Sequence, residues 1–321
     1  MREAGLISVV TPMHDEQDNA RVLYERVVAA LAAHTWELVV VDDGSRDATA
    51  RVLSELAAAD ERVKVVYLSR NFGHQAAITA GLEHARGDAV VMIDADLQDP
   101  PELIVDMVAK WREGADVVYA VRQSREGETR MKLATAHVFY RLMSRMAQLE
   151  LPVDSGDFRL MDRRALDALL AMPERARFLR GMTVWIGFTQ TAVTYRRDAR
   201  AAGETKFTLR KMVRFSFDAI SSFSYFPLQI ATLVGFVISV IAFVAIPLTV
   251  IARYSDIFVP GISTTLIVVL LLGGMQLMTL GIIGEYVGRI YDEVKRRPLY
   301  VVRETTNVDT DVVGPVVSDR L

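Results

Sequence analysis

Between Leu6 and about Val121 the chain alternates short, uninterrupted apolar runs with stretches in which apolar residues recur every three or four positions. The runs are Leu6 to Val10, Leu38 to Val41, Val63 to Leu68, Ala89 to Ile93 and Val117 to Val121. They are rich in Val and Ile and lack polar alternation, which predicts strands buried on both faces. The intervening pattern predicts helices: Leu23, Val27 and Leu31 fall on one face, and Leu103 to Trp111 is opened by Asp99 and Pro100-Pro101. Regular alternation of this kind predicts an α/β domain with a mostly parallel sheet and helices on both faces. Ligands of such sheets bind beyond the carboxyl ends of the strands, so polar residues there are the candidates for chemistry.

A different pattern begins in the last third. Phe226 to Ala252 and Ile262 to Ile283 contain no charged residue, and each is long enough to cross a hydrocarbon core of about 30 Å. Two transmembrane helices are expected. Lys206, Arg210, Lys211 and Arg214 precede the first, and Arg289, Lys295, Arg296 and Arg297 follow the second, whereas the connecting loop holds only Arg253 and Asp256. The positive-inside rule then puts both termini in the cytoplasm. Ahead of the hairpin, Leu209, Val213, Phe217 and Ile220 line one side of a helix beside a basic line of Lys206, Arg210 and Arg214, suited to a headgroup layer with anionic lipid phosphate. The expected organisation is a cytoplasmic catalytic domain over 1–204, an amphipathic juxtamembrane helix over 205–225, the hairpin over 226–288, and a cytoplasmic strand and flexible tail over 289–321. The segment Pro298 to Val302 is a candidate strand for pairing with a neighbouring subunit.

Composition narrows the classes. A formal net charge of −3 over 321 residues supplies no cationic excess for nucleic acid. The absence of Cys excludes disulfides, thiolate metal sites and Cys nucleophiles. No signal peptide is expected, because the first apolar run ends at Pro12.

Three predicted strand ends carry acidic residues. Asp94 and Asp96 flank Ala95 as the fourth strand ends, a spacing that lets both carboxylates reach one cation, with oxygen ligands suited to Mg²⁺ or Mn²⁺. An isolated Asp-x-Asp is more often a solvated turn, but this one closes a buried strand and continues as Leu97-Gln98-Asp99-Pro100-Pro101. Asp42-Asp43 closes the second strand; it either caps the helix starting near Ala48, a role open also to Ser45 and Asp47, or accepts hydrogen bonds from a nucleobase or ribose. His14-Asp15-Glu16 follows the first. His74, after Asn71-Phe72-Gly73, reads better as a helix start than as a diphosphate contact.

In order along the chain, Asp42-Asp43-Gly44-Ser45, Asn71-Phe72-Gly73, Asp94-Ala95-Asp96-Leu97-Gln98-Asp99-Pro100, Gly156-Asp157-Phe158-Arg159-Leu160, Gly203-Glu204-Thr205-Lys206 and Gly284-Glu285-Tyr286-Val287-Gly288-Arg289-Ile290-Tyr291 resemble the inverting polyprenyl-phosphate glycosyltransferases of the GT-A type, in their bacterial two-helix subgroup. The resemblance spans about Leu6 to Val302. It implies a GT-A fold and transfer of a hexose from a nucleotide sugar, UDP-glucose or a related UDP-sugar, to polyprenyl phosphate at the cytoplasmic face of a bacterial plasma membrane. A GDP-mannose-dependent synthase and a processive polysaccharide synthase are the alternatives, and the second lacks its Gln-x-x-Arg-Trp motif here. Position by position, the resemblance implies that Pro12, Glu16, Val41 and Asp43 cradle the nucleoside. Asp94, Ala95, Asp96 and Gln98 belong to the donor site, with Asp94, Asp96 and Gln98 at the metal and diphosphate. Arg122 and Arg130 lie near the phosphates, Arg200, Lys206, Arg210 and Arg214 serve the phosphates or the acceptor, and Asp96, Asp157 and Arg122 are catalytic. A homo-tetramer is also implied. The departure from the family is His14-Asp15, where relatives often carry an aromatic residue and Asn.

Overall fold

A computed structural model describes residue 2 and residues 5–122, 155–195, 226–254 and 262–308. Contacts divide the chain into two units, one with all the strands and the shorter helices, the other with two long helices.

The five apolar runs are strands. They are β1 (Leu6–Met13), β2 (Thr35–Asp42), β3 (Val63–Leu68), β4 (Ala89–Met92) and β5 (Val117–Arg122), joined by β6 (Ser155–Asp162), β7 (Gln190–Tyr195) and β8 (Val302–Thr306). They form one sheet of order β7-β5-β6-β4-β1-β2-β3-β8. The β1–β2, β1–β4, β2–β3 and β5–β7 pairings are parallel. Those of β6 with β4 and β5, and of β8 with β3, are antiparallel. The interior of β1 and β2 is buried, as strands covered on both faces require.

Between the strands run α1 (Gln17–Ala30), α2 (Thr49–Ala59), α3 (His74–His84), α4 (Leu103–Arg112), α5 (Arg163–Leu170) and α6 (Leu179–Trp185). Leu23, Val27 and Leu31 are fully buried beneath α1. α3 approaches the sheet closely: a Cβ on Gly81 would stand 2.4 Å from a methyl of Val10 and 3.0 Å from one of Val41. Glycine therefore lets α3 settle onto β1 and β2, and its N-terminus is fixed relative to the ends of those strands.

Two expectations change. Asp99 does not cap α4; it is buried and accepts a hydrogen bond from the Tyr195 hydroxyl. The C-terminal strand is Val302–Thr306, past all but the last residue of the Pro298–Val302 segment expected to be extended, and it lies along β3 of its own chain. There it covers an edge that would otherwise present unpaired N–H and C=O groups.

In the second unit, both apolar segments are helical: α7 (Phe226–Tyr254, 29 residues) and α8 (Ile262–Lys295, 34 residues) contact each other. Among the described residues no helix is long and apolar enough to cross a membrane. Many of the apolar side chains that are described face outward, Phe236 and Phe243 at 66% and 79% exposure among them.

Candidate active site

β1 is the point at which the sheet changes direction. The chain moves outward from β1 to β2 and β3, then returns through α3 to β4 on the other side of β1. A crevice opens beyond the carboxyl ends of strands flanking such a switch. Here it is a cleft of about 440 Å³. Pro12, Met13, His14 and Glu16 reach it from β1, Asp43 from β2, Asn71, Gly73, His74 and Ala77 from the β3–α3 connection, and Asp94, Ala95 and Asp96 from the segment after β4.

The loops around the cleft hold one another. Both oxygens of Asp43 are engaged by the backbone N–H groups of Phe72 and Gly73, at 2.7 and 3.0 Å. Of the two roles open to it, Asp43 therefore does not cap α2; Asp47 accepts the Thr49 N–H at 2.9 Å instead. Burial raises the Asp43 pKa above the usual carboxylate value against those two N–H bonds and the nearby His14, with Asp42 adding to the rise. Gly73, at φ +99°, turns the chain into α3. The Nδ1–H of His14 donates to the Asp43 carbonyl at 2.9 Å, since a carbonyl only accepts. Glu16 donates its own N–H to Thr49 Oγ1 at 2.9 Å and accepts from the Asn19 amide at 2.6 Å.

At the other end of the cleft stands a charged centre. His74 Nε2 lies 3.5 Å from an oxygen of Asp94 and 3.5 Å from one of Asp157. The other Asp157 oxygen accepts two N–H groups of Arg180, at 3.1 and 3.3 Å. α6 delivers Arg180, and its first residue is tied to the start of α3 through Leu179 N–H to Gln75 Oε1 at 3.1 Å. Burial alone would raise the Asp157 pKa, but the His74 bond and the Arg180 and Arg159 charges hold it well below the usual range. For His74 burial works downward, and Asp157, Asp94 and Asp43 outweigh it to raise the imidazole pKa. Asp94 is pushed up to about 6 by burial, with His74 opposing and Asp157, Asp99 and Asp96 adding to the rise. Arg159, fully buried, is drawn down to about 10 by burial, against the pull of Asp157.

Among the described residues no three His, Cys, Asp or Glu side chains form a group able to hold a metal ion by themselves. The donor set nevertheless fits Mg²⁺ or Mn²⁺. These hard cations are commonly held by one or two protein carboxylates, with substrate phosphate and water completing the shell, and Asp94 is crowded by like charge that a cation relieves.

Pro12, Glu16, Asp43, Asp94, Ala95 and Asp96 thus share one cleft, with Asp157 bridged to it by His74. Val41 does not line it; its side chain is buried under Gly81 of α3. Gln98 is also off the cleft wall and buried, and among the described residues its Oε1 has no hydrogen-bond partner. Arg122 ends β5, and its side chain lies outside the described residues, as do Arg130, Arg200, Lys206, Arg210 and Arg214 entirely. His74, read from the sequence as a helix start, is one and also faces two carboxylates. Arg180 was not anticipated; the only signal is a single charge in Leu179-Arg180-Gly181-Met182-Thr183-Val184-Trp185.

The site is thus an open α/β sheet with paired carboxylates just past its central strand ends, facing one cleft. Residues 8–170 match the family model described as glycosyl transferase family 2, and the chain belongs to that family. It is 46% identical to the uncharacterised glycosyltransferase YkcC of Bacillus subtilis, over 94% of each chain. It is 39% identical to the prophage bactoprenol glucosyl transferase homolog of Escherichia coli, over 92% of this chain and 98% of that one. Among solved structures, glucosyl-3-phosphoglycerate synthase from Mycobacterium tuberculosis in complex with Mn²⁺, UDP and phosphoglyceric acid is similar over 67% of this chain and 76% of that one, at 22% identity and a TM-score of 0.45.

Proposed function

We propose that the chain transfers glucose from UDP-glucose to a polyprenyl phosphate, with inversion at the anomeric carbon. The observation that carries this reading is the convergence of Pro12, Glu16, Asp43, Asp94 and Asp96 on one cleft in a chain matched nearly end to end by a bactoprenol glucosyl transferase homolog. Pro12, Glu16 and Asp43 take the nucleoside. Asp94 and Asp96 would hold a divalent cation, which when bound would supply positive charge against the negative charge growing on the diphosphate leaving group. An acceptor phosphate oxygen attacks the anomeric carbon, the bond from that carbon to the diphosphate oxygen breaks, and the nucleoside diphosphate leaves with the electron pair. A phosphomonoester with a second pKa of about 6 is already largely ionised at neutral pH, so the attack needs no general base. Asp157, kept ionised by His74 and Arg180, orients the groups around the acceptor rather than removing a proton.

The same reading puts the acceptor at the cytoplasmic face of a bacterial plasma membrane, with α7 and α8 as the spanning hairpin. Its support is the uncharged sequence from Phe226 to Ala252 and from Ile262 to Ile283, the outward-facing apolar side chains of both helices, and the cationic flanks. Arg130, Arg200, Lys206, Arg210 and Arg214 are assigned to the lipid phosphate and donor diphosphate.

Purified protein in detergent, given Mg²⁺, polyprenyl phosphate and a panel of UDP- and GDP-sugars, tests the reading by release of nucleoside diphosphate. UDP-glucose is expected to turn over fastest, and only with the lipid present. Preference for GDP-mannose would transfer the assignment to a mannose synthase, and lipid-independent release would overturn the acceptor.

A further inference from the structure

The donor cleft is not the only cavity at this sheet edge. A second, of about 630 Å³, lies on the β2–β3–β8 side, and three arginines line it: Arg46 from the loop after β2, Arg70 from the loop after β3, and Arg303 from β8. Among the described residues none of the three pairs with a carboxylate. Asp15, the one acidic residue on the wall, has an oxygen committed to the Arg46 backbone N–H at 2.7 Å.

The cavity is built rather than incidental. Gly44 holds a left-handed φ of +65°, and a Cβ there would stand 2.5 and 2.7 Å from the Arg70 and Asn71 backbone. Only glycine lets the Arg46 loop close against the Arg70 loop. The Arg70 guanidinium lies 4.0 Å from the Phe72 ring centroid and donates to the Asn71 carbonyl at 2.8 Å; that of Arg303 lies 5.8 Å from the Tyr67 ring. Stacking against aromatic faces limits guanidinium motion and leaves the N–H edges to a ligand. Three cationic side chains around one space make it electropositive, and an anion there is attracted to all three.

The geometry points to a second anion site, formed by Arg46, Arg70 and Arg303 and separate from the diphosphate position at Asp94 and Asp96, that takes a phosphate-bearing ligand. Guanidinium forks match phosphate oxygens two at a time, which favours a phosphate over a simple halide. Because Arg303 lies on the strand that follows α8, occupancy ties the C-terminal strand to the loops after β2 and β3. The inference does not depend on the sugar or lipid assigned above.

The test is calorimetric titration of the full chain in detergent with tripolyphosphate, in metal-free buffer. Native protein is expected to bind it, more weakly as salt rises. Arg70→Gln with Arg303→Gln should weaken binding at least tenfold, whereas Arg51→Gln, an exposed charge elsewhere, should not. Asp96→Asn removes negative charge from the donor cleft, so it leaves binding unchanged if the anion sits at the arginines and strengthens it if the anion sits in the donor cleft. Unchanged affinity in the double arginine variant, or strengthening in Asp96→Asn, overturns the site. Micelles doped with phosphatidic acid distinguish the ligand's source: displacement of tripolyphosphate by them, but not by undoped micelles, upholds the site as a lipid-headgroup site, and binding of tripolyphosphate without such displacement upholds it for a free phosphate compound.

Discussion

His74 Nε2 stands 3.5 Å from a carboxylate oxygen of Asp94 and 3.5 Å from one of Asp157, so a single imidazole joins the acidic segment after β4 to the acidic residue on β6. The environment favours its charged form. Replacing it with a neutral side chain leaves two carboxylates with less compensation. In His74→Gln, kcat is expected to fall about tenfold, or about 1.4 kcal/mol of barrier, while Mn²⁺ binds more tightly because Asp94 loses a competing cation. Electron paramagnetic resonance of free Mn²⁺ measures the second effect without turnover. Weaker Mn²⁺ binding in the variant would instead make His74 a ligand.

Asp96 shares the cleft with Asp94, and one oxygen accepts the Gln98 N–H at 3.1 Å. If the pair holds the cation, Asp96→Ala should lower turnover at least a hundredfold, about 2.7 kcal/mol. Near-native nucleoside diphosphate release by the variant would remove the metal from the reading.

Arg180 puts two N–H groups on one oxygen of Asp157, and both residues are mostly buried. A buried carboxylate that loses its hydrogen-bonded cation costs more than the pair was worth. Arg180→Ala is expected to cut kcat by ten- to a hundredfold with little change in the KM for the donor, and Arg180→Lys to recover part of the loss by restoring one donor. Equal defects in the two variants would mean that α6 was merely disrupted, which a melting curve would also register.

The central sheet was legible because β1 to β5 are Val- and Ile-rich runs that can only be buried, and the residues that close them necessarily share an edge. That is why Glu16, Asp43, Asp94 and Asp96 could be expected at one edge, where they line one cleft. The antiparallel insertion of β6 between β4 and β5 was not, because Ser155 to Asp162 mixes charged and apolar residues and nothing local sets its partner. Arg180 was missed for a related reason: its meaning comes from Asp157, on a different element. Val41 and Gln98 show the reverse limit, since a motif position does not say whether the side chain faces the cleft or the core.

Gly81 is where packing and site meet. An added methyl would press on Val10 and Val41, side chains of rigid central strands, so α3 must move. Gly81→Ala is expected to destabilise the domain by about 1–3 kcal/mol, the usual cost of overpacking, despite the better helix propensity of Ala. Because α3 carries His74, activity should fall below what the loss of folded protein explains. Chemical denaturation alongside specific activity per folded molecule separates the two effects.

Acid stability has a defined contributor at the end of α2. Asp60 accepts from the Arg62 side chain at 2.7 and 2.9 Å, from its backbone N–H at 3.0 Å, and from the Tyr24 hydroxyl at 2.9 Å. The Arg62 bond lowers its pKa to about 2, against an opposing effect of burial and with help from the backbone and Tyr24 bonds. A folded-state pKa below the unfolded value of about 3.9 means the folded protein binds fewer protons, so the stabilisation is present above pH ~4 and is lost as pH falls toward 2. Asp60→Asn should cost about 1 kcal/mol at neutral pH, a figure kept small because the Arg62 side chain is half exposed and screened by solvent. The melting-temperature difference between native protein and variant should hold steady from pH 7 to about pH 5 and close between about pH 4 and 2. A difference that persists at pH 2 would assign the effect to lost packing rather than to the ionised carboxylate.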